Sequence, residues 1–212
     1  SIPPYLEYFN EGVHRDREGK KRYLSVPVGV NLEKLLGVSI KDIADNRVVQ
    51  NVEYPPFVFT LREDQESAKS AYIDSQKKEQ FSKSLIQLPT GKGKTILALN
   101  IACTLKQRTL VLVHKDDLVT GWQNDIEDCF GGKLEPGLIK AKKRNVGKQI
   151  TIATVQTLSR MSEEELSSYL DKFGLVIQDE CHHVGLNIFN VIDKFQSRYK
   201  LGLTATPVRG DG

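Results

Sequence analysis

Short apolar runs and amphipathic segments alternate along the chain from residue 57 onward. The apolar runs predict strands at residues 85–88, 109–114, 137–140, 150–154, 175–179 and 200–206. The segments around them have helical periodicity, at residues 61–78, 95–106, 116–129, 155–170 and 188–195. Strands that alternate with helices are typical of a mostly parallel sheet with helices on both faces. The pattern therefore predicts an α/β fold.

The first 56 residues lack this rhythm and predict a small N-terminal α+β module. A short strand is expected at 23–28 and a helix at 32–36, and Pro55-Pro56 then breaks the chain. We therefore expect two domains, residues 1–56 and 57–212. Two interpretations of the first remain open: a packing module, or an element that grips DNA through its basic stretch "REGKKR".

Composition limits the class of protein. The 212 residues are 39% apolar and 27% charged, which suits a soluble globular protein. No apolar run reaches the roughly 18 residues of a membrane span, and the first residues do not resemble a signal peptide. Three cysteines without paired spacing favour an intracellular setting: cytoplasm, nucleus, or host cytoplasm if a phage or virus encodes the protein. The net charge of +3 is compatible with a nucleic-acid partner without requiring one.

The segment "LPTGKGKT" lies between a predicted strand and a predicted helix, the context of a phosphate-binding loop. Glycines allow main-chain N–H groups to wrap phosphate oxygens closely. Lys94 would reach the β- and γ-phosphates, and the Thr95 hydroxyl would bind Mg²⁺. The predicted nucleotide-binding residues of this loop are Thr90, Gly91, Lys92, Gly93, Lys94 and Thr95. Leu88 replaces the first glycine of the strict pattern, and the shorter form is typical of helicase-type motors.

The run "DECHH", residues 179–183, contains five residues that are all able to bind metals. Successive side chains of a strand point to opposite faces and zinc sites space their ligands, so we predict no zinc site. The carboxyl end of a parallel strand instead lies beside the phosphate loop. There Asp179 can orient Mg²⁺, and Glu180 can polarise the water that attacks the γ-phosphate. The predicted catalytic residues are Lys94, Asp179 and Glu180.

Taken in order, these motifs resemble those of superfamily 2 helicases of the DExH type. "PTGKGKT", "DECH" and "GLTATPVRGDG" are similar to motifs I, II and III, and "LVLVHKDDLVTGW" is similar to motif Ia of the XPB-like and phage UvsW-like DNA helicases. The resemblance covers residues 57–212 and implies a RecA-like P-loop NTPase lobe that takes ATP and Mg²⁺. Two positions depart from the pattern: Gly121 precedes Trp122 where glutamine is usual, and Gly210 replaces an acidic residue.

The resemblance implies further residue roles. "LREDQ" is similar to the adenine-reading Q element, which implies that Gln65 contacts adenine. Contacts between "DECH" and motif III would couple nucleotide state to the grip on nucleic acid, and the predicted coupling residues are His182, Thr204, Ala205 and Thr206. The arginine motif of a second RecA-like lobe is absent from this chain. We therefore expect weak hydrolysis and no unwinding by the chain alone.

Residues 133–148 hold six basic residues and one acidic residue. Contact with phosphates and a simple solvated loop both explain this excess, and both remain open. Together with the motif Ia segment and "ITIATVQTLSR", they supply the nucleic-acid candidates His114, Lys115, Lys142, Lys143, Arg144, Thr154 and Gln156. Trp122 fits a packing residue as well as a base-stacking platform.

The sequence thus predicts the ATP-binding lobe of an ATP-dependent nucleic-acid motor, with DNA as the first choice of substrate. Its expected partners are nucleic acid and a second RecA-like lobe of the same native protein, and no association with a membrane is expected. The alternatives are the motor of a restriction system, an RNA helicase lobe, and a nucleotide-regulated binding module without motor activity.

Overall fold

The chain forms two compact units, Ser1–Asp45 and Asn46–Gly212. The computed structural model describes residues 10–16, 19–25, 47–78, 84–89, 91, 93–180 and 194–205. The division falls earlier than the expected boundary after residue 56, because residues 47–56 hydrogen-bond within the larger unit. The Val52 N–H donates to the Lys106 carbonyl at 2.8 Å, and the Tyr54 hydroxyl donates to the Gln107 carbonyl at 2.8 Å.

The described part of the smaller unit is an antiparallel hairpin. Strand β1 (Asn10–Asp16) pairs with β2 (Gly19–Ser25). The strand expected at residues 23–28 overlaps β2, which begins earlier, and β1 was not predicted. The helix expected at residues 32–36 lies outside the described residues.

The larger unit contains a seven-stranded sheet. Its strands are β3 (Ser84–Gln87), β4 (Thr109–Val113), β5 (Gly137–Lys140), β6 (Lys143–Asn145), β7 (Ile150–Thr154), β8 (Leu175–Gln178) and β9 (Tyr199–Thr204). They lie in the order β3-β9-β8-β4-β7-β5-β6. All neighbours are parallel except β5 and β6, which form an antiparallel hairpin at one edge. The predicted α/β class with a mostly parallel sheet is confirmed.

Five helices are described around this sheet. They are α1 (Glu63–Lys78), α2 (Lys94–Leu105), α3 (Asp116–Phe130), α4 (Val155–Ser159) and α5 (Glu163–Ser167). The continuous helix expected over 155–170 is wrong, because Ser162 starts a new helix: its hydroxyl accepts a hydrogen bond from the Glu165 N–H at 3.1 Å. The helix expected near 188–195 lies almost wholly outside the described residues.

The sheet separates two apolar cores, which explains why its central strands are apolar on both sides. In β4, Val111 and Val113 belong to the core that contains residues of α1, α2 and α3. Leu110 and Leu112 belong to the opposite core, with residues of α4 and α5. This alternation is the period of two that an extended chain imposes.

An extended segment, residues 47–58, crosses the amino ends of the strands. Val48 forms a bridge to Ser197, just before β9, and Asn51 forms one to Gln107, just before β4. The ring of Phe57 packs edge-on against Phe130 at the end of α3, with centroids 5.5 Å apart. This segment covers the ends at which the strands begin, whereas the described residues of the phosphate loop and of "DECH" follow the carboxyl ends of β3 and β8. None of the described helices combines the length and apolarity needed to cross a bilayer.

Candidate functional site

The phosphate loop connects β3 to α2. Gly91 and Gly93 have φ angles of +74° and +69°, a region that glycine enters without steric cost. Gly93 is the N-cap of α2, and its carbonyl accepts the first helical bond, from the Leu97 N–H at 3.1 Å. The amino end of a 12-residue helix thus lies at the loop and favours anions. Thr90 and Lys92 lie outside the described residues.

Gln65 holds the phosphate loop from α1. Its side chain is 2% exposed; Oε1 accepts from the Arg62 N–H at 3.0 Å, and Nε2 donates to the Gly93 carbonyl at 3.1 Å. A methyl group at Gly93 would come within 2.7 Å of Nε2. Gln65 therefore supports the loop directly, and its contact with adenine stays a prediction.

Lys94 and Glu180 join the loop to the end of β8. The Lys94 Nζ lies 3.2 Å from the Glu180 Oε1, and the two side chains are 11% and 22% exposed. Glu180 has a φ of +49°, a strained angle for a residue with a Cβ. Such angles persist only where the surroundings fix them, and they occur preferentially at functional sites.

Asp179 is fixed by the side chain of Trp122. The indole Nε1–H of Trp122, on α3, donates to the Asp179 Oδ2 at 2.9 Å, and both side chains are buried. Burial raises the pKa of Asp179, an effect that the Trp122 hydrogen bond opposes and the nearby Glu180 carboxylate reinforces. Trp122 is 2% exposed, so it cannot stack on a nucleic-acid base in this conformation. The packing interpretation is correct, and the hydrogen bond gives the residue a second role.

Asp125 is a site residue that sequence reasoning missed. It lies half-buried on α3, one turn beyond Trp122. Burial raises the pKa of Asp125, and the nearby Thr95 hydroxyl opposes this shift. The available signal was the spacing: Asp125 follows Trp122 by three residues and therefore lies beside the buried face of the helix.

Motif III begins within β9, which lies between β3 and β8. The Thr204 carbonyl accepts from the Leu88 N–H at 3.1 Å, so the end of β9 touches the start of the phosphate loop. The Thr204 side chain is buried, and Ala205 is half-buried. Because His182 and Thr206 lie outside the described residues, the predicted coupling contacts stay a prediction.

The candidate nucleic-acid residues converge at the carboxyl ends of β4, β7 and β5. The Gln156 amide donates to the His114 carbonyl, which joins the segments that follow β7 and β4. The Ala141 N–H, in the turn between β5 and β6, donates to the Thr157 hydroxyl at 3.1 Å. Lys115 at this edge is exposed, as are Lys142 and Lys143.

Two of these candidate residues form hydrogen bonds or ion pairs within the protein. Arg144 forms an ion pair with Glu165 of α5 and donates to the Ala141 carbonyl, so it braces the β5–β6 turn. Thr154 is 2% exposed, and its hydroxyl hydrogen-bonds with that of Thr157 at 2.8 Å. Arg144 and Thr154 therefore stabilise the local structure, and they are less available for contact with nucleic acid than the exposed lysines.

A groove of about 630 Å³ separates α3 from the β5–β6 hairpin. Its lining includes Val119 and Gln123 on the helix side, with Lys140, Lys142 and Lys143 on the hairpin side. Lys140 also forms an ion pair with Asp116 at 3.3 Å, which links the hairpin to the first turn of α3. Four of the six basic residues counted in the sequence thus lie on the β5–β6 hairpin beside α3: Lys140, Lys142, Lys143 and Arg144.

The oxygen donors at the loop suit a magnesium ion. Mg²⁺ prefers hydroxyl, carboxylate and water oxygens, and Thr95 and Asp179 supply the first two kinds. The negative charge of Glu180 raises the pKa of the neighbouring Asp179, and the Lys94 Nζ contacts the Glu180 carboxylate at 3.2 Å. Carboxylate oxygens beside a phosphate loop are ligands that Mg²⁺ would accept.

Fold and site together define the chain as a RecA-like lobe of the P-loop NTPase class. Residues 58–209 match the family model described as "Type III restriction enzyme, res subunit", and the chain belongs to that family.

Relatives and solved structures agree with this assignment. The chain is 33% identical over 171 residues to the "DNA 3'-5' translocase XPB2" of Sulfurisphaera tokodaii. The aligned region covers 79% of this chain and 36% of that protein. It resembles the "UvsW helicase from Bacteriophage T4" with a TM-score of 0.60 and 16% identity, over 99% of this chain and 81% of that one.

The "Sulfolobus solfataricus SWI2/SNF2 ATPase core in complex with dsDNA" matches with a TM-score of 0.62 and 19% identity, over 76% of this chain and 35% of that one. The predicted resemblance to XPB-like and UvsW-like helicases is confirmed. The chain spans about a third of the length of the curated relatives it matches.

Proposed function

We propose that this chain is the ATP-binding lobe of an ATP-dependent DNA helicase or translocase. The observation that carries the proposal is the contact of Lys94 with Glu180 at 3.2 Å. It brings the phosphate-loop lysine and the motif II glutamate, 86 residues apart in the chain, to one point at the carboxyl edge of a parallel sheet. Ligands of such sheets bind at that edge.

Different residues of the site would bind the nucleotide, bind Mg²⁺ and activate water. The loop N–H groups and Lys94 would hold the phosphates, while Thr95 and Asp179 would hold Mg²⁺, which neutralises charge on the phosphate oxygens. Glu180 would orient and polarise the attacking water. The buried Gln65, tied to Gly93, would place adenine next to the loop.

A second RecA-like lobe would complete the motor. Phosphoryl transfer in such enzymes gains much of its rate from arginines that stabilise charge on the transferred group. The curated relatives are longer than this chain, which leaves room in them for a further domain. We expect Glu180→Gln to abolish DNA-stimulated ATP hydrolysis in a protein that contains both lobes.

Nucleotide binding is the first test. The chain should bind a fluorescent ADP analogue in the presence of Mg²⁺, and Lys94→Ala should weaken this binding at least tenfold, because a buried charge-assisted contact is lost. Lys106→Ala is a matched control: Lys106 borders the same helix and pairs with the exposed Glu53 at 3.0 Å, away from the loop. Equal effects of the two substitutions would contradict the proposed site.

Nucleic-acid binding is the second test. The double variant Lys142→Ala/Lys143→Ala should weaken DNA binding and reduce the slope of log K against log salt by about 2, or about 1 for each lost phosphate contact. Lys133→Ala is the control, since Lys133 is exposed beyond the other end of α3. Single-stranded RNA serves as competitor, and preferential binding of RNA would favour the RNA helicase alternative.

A second candidate is the motor subunit of a restriction system, which the description of the family model favours. Both candidates share the ATP site and differ in the partner protein. A gene for a DNA-modifying enzyme next to the native gene, and copurification of its product, would support the restriction system.

A further inference from the structure

We propose that the groove between α3 and the β5–β6 hairpin binds an unpaired nucleotide of the nucleic-acid strand. The base would lie against the apolar lining of the groove, and the adjoining phosphate would contact Lys142 and Lys143. The inference rests on the proposed function, since the groove belongs to the surface that would bind nucleic acid in a helicase or translocase. It adds a site for a base to the phosphate contacts.

The groove lies where the sheet extends beyond the helix that covers it. Helix α3 packs over β4 and β7, with Val119 and Ile126 in their shared core. Strands β5 and β6 follow β7 at the edge of the sheet. Leu138 and Lys140 point to the α3 side of β5, because Ile139 between them belongs to the core on the opposite face. Both are only half-buried, so this part of the sheet presents an accessible surface beside α3.

Two lysines of the hairpin stand directly opposite each other on this face. Lys140 and Lys143 are cross-strand partners, so their side chains point to the same side of the sheet, and like charges in this arrangement repel each other. The Lys140 Nζ lies 3.3 Å from the Asp116 carboxylate, which balances one of the two charges. Lys143 is exposed, as is Lys142 in the turn. A phosphate group at the groove would balance the remaining positive charge.

The rest of the lining suits a base better than a phosphate. Its apolar members are Val119, Leu138 and Ala141. Thr120 and Gln123 add polar groups from α3, where residues three apart lie on the same side. A glutamine amide both donates and accepts hydrogen bonds, as the edge of a base does. Enzymes that hold an unstacked base place it between apolar side chains and hydrogen-bond its edge. The volume of about 630 Å³ lies within the usual range of small-ligand sites.

The position of the groove favours nucleic acid over an acidic peptide, the other ligand that lysines beside an apolar surface could take. The Ala141 N–H donates to the Thr157 hydroxyl at 3.1 Å, which ties the turn of the hairpin to the segment after β7. The neighbouring Gln156 donates to the His114 carbonyl, so the segment after β4 lies alongside. A strand that passes the candidate residues at these strand ends would therefore reach the groove with its next nucleotide.

The test separates the contribution of the base from that of the phosphates. Fluorescence anisotropy would compare two labelled single strands of equal length and charge, one of thymidines and one whose sugars carry no bases. The unmodified chain should bind the thymidine strand about fivefold more tightly, which is the lower end of what base stacking contributes, because the lining is aliphatic. Gln123→Ala and Leu138→Thr should each reduce this ratio to about twofold.

Two controls distinguish the base site from its surroundings. Asn124→Ala should keep the ratio, because it removes an exposed amide from the next position of α3, outside the groove. Lys142→Ala/Lys143→Ala should weaken both strands, whereas the groove substitutions should weaken mainly the thymidine strand. Gln123 is exposed, so Gln123→Ala tests the site even where Leu138→Thr impairs folding.

The outcomes separate the two proposals. If the unmodified chain binds neither strand, the proposed nucleic-acid function and this inference fail together. If it binds both strands equally, with the salt dependence of phosphate contacts, the proposed function stands and the base site is overturned. An unchanged ratio in Gln123→Ala also overturns it, since the bases would then bind elsewhere. Tighter binding of a peptide of alternating glutamate and leucine than of the thymidine strand would assign the groove to an acidic protein partner and overturn it too.

Discussion

The ion pair between Lys94 and Glu180 predicts that Glu180→Gln will tighten nucleotide binding to this chain. In the structure, the Lys94 Nζ lies 3.2 Å from the Glu180 Oε1. Phosphates must draw Lys94 away from this partner before it can contact them. The substitution leaves a neutral amide of the same shape, which holds Lys94 less strongly and also removes a negative charge that repels phosphate.

The size of the effect follows from the environment of the pair. Hydrogen bonds to charged groups contribute about 1.5–3 kcal/mol when buried, while exposed ion pairs contribute about 0–1 kcal/mol. The Lys94 and Glu180 side chains are 11% and 22% exposed, which places the pair between these limits. The amide retains part of the attraction, so we expect a gain of about 1 kcal/mol, or roughly fivefold in the dissociation constant.

Isothermal titration with ADP and Mg²⁺ measures this change. Glu127→Gln is the control, because Glu127 is an exposed residue of α3 and its substitution alters the net charge equally. The control should leave the affinity within the error of the measurement. Unchanged or weaker binding by Glu180→Gln would refute the idea that Glu180 restrains Lys94 in the nucleotide-free protein.

Three further predictions concern backbone conformation and burial in the larger unit. Gly93→Ala should lower the melting temperature and weaken ADP binding, because φ is +69° and the new methyl group would approach the Gln65 Nε2 to 2.7 Å; strain of about 1–2 kcal/mol is expected. Gly121→Ala should instead raise the melting temperature by the equivalent of about 0.5–1 kcal/mol, since Gly121 lies within α3 with no atom within 4 Å of the added carbon; a decrease would contradict this. Stability should also fall as the pH rises above about 9, because burial raises the pKa of Cys129 to about 12 and also raises that of Tyr54, while the unfolded chain ionises both groups at their ordinary values. Urea titrations at several alkaline pH values should show a loss of up to about 1.4 kcal/mol per pH unit for each group, and a flat profile would contradict the buried placement.

The central strands of the sheet could be predicted from the sequence because burial on both faces demands continuous apolar runs. Residues 109–113, 150–154 and 175–178 are buried throughout, and each was predicted to within one residue. Strand β6 carries no such signal, since Lys143–Asn145 are polar and exposed. It forms by main-chain pairing with β5 after the turn at Ala141.

Contacts that depend on strand order could not be predicted. Trp122 and Asp179 are 57 residues apart and meet because β8 lies next to β4, which α3 follows. The sequence predicted β8 and α3 but not which strands are neighbours in the sheet. Trp122 therefore fitted both a packing residue and a base-stacking platform. The break between α4 and α5 was readable, because Ser162 and Glu165 have the spacing of a helix cap.

The order of the strands places α3 between two groups of strand ends that carry different candidate residues. Strands β3, β9 and β8 carry the phosphate loop, motif III and the motif II carboxylates, whereas β4, β7 and β5 end at the basic surface. Helix α3 begins directly after Lys115 on the basic side, and two turns later Trp122 contacts Asp179 on the nucleotide side. A single helix of 15 residues therefore contacts both groups of strands. Its first turn does so through the ion pair of Asp116 with Lys140 of the β5–β6 hairpin, and its middle does so through the hydrogen bond of Trp122 to Asp179.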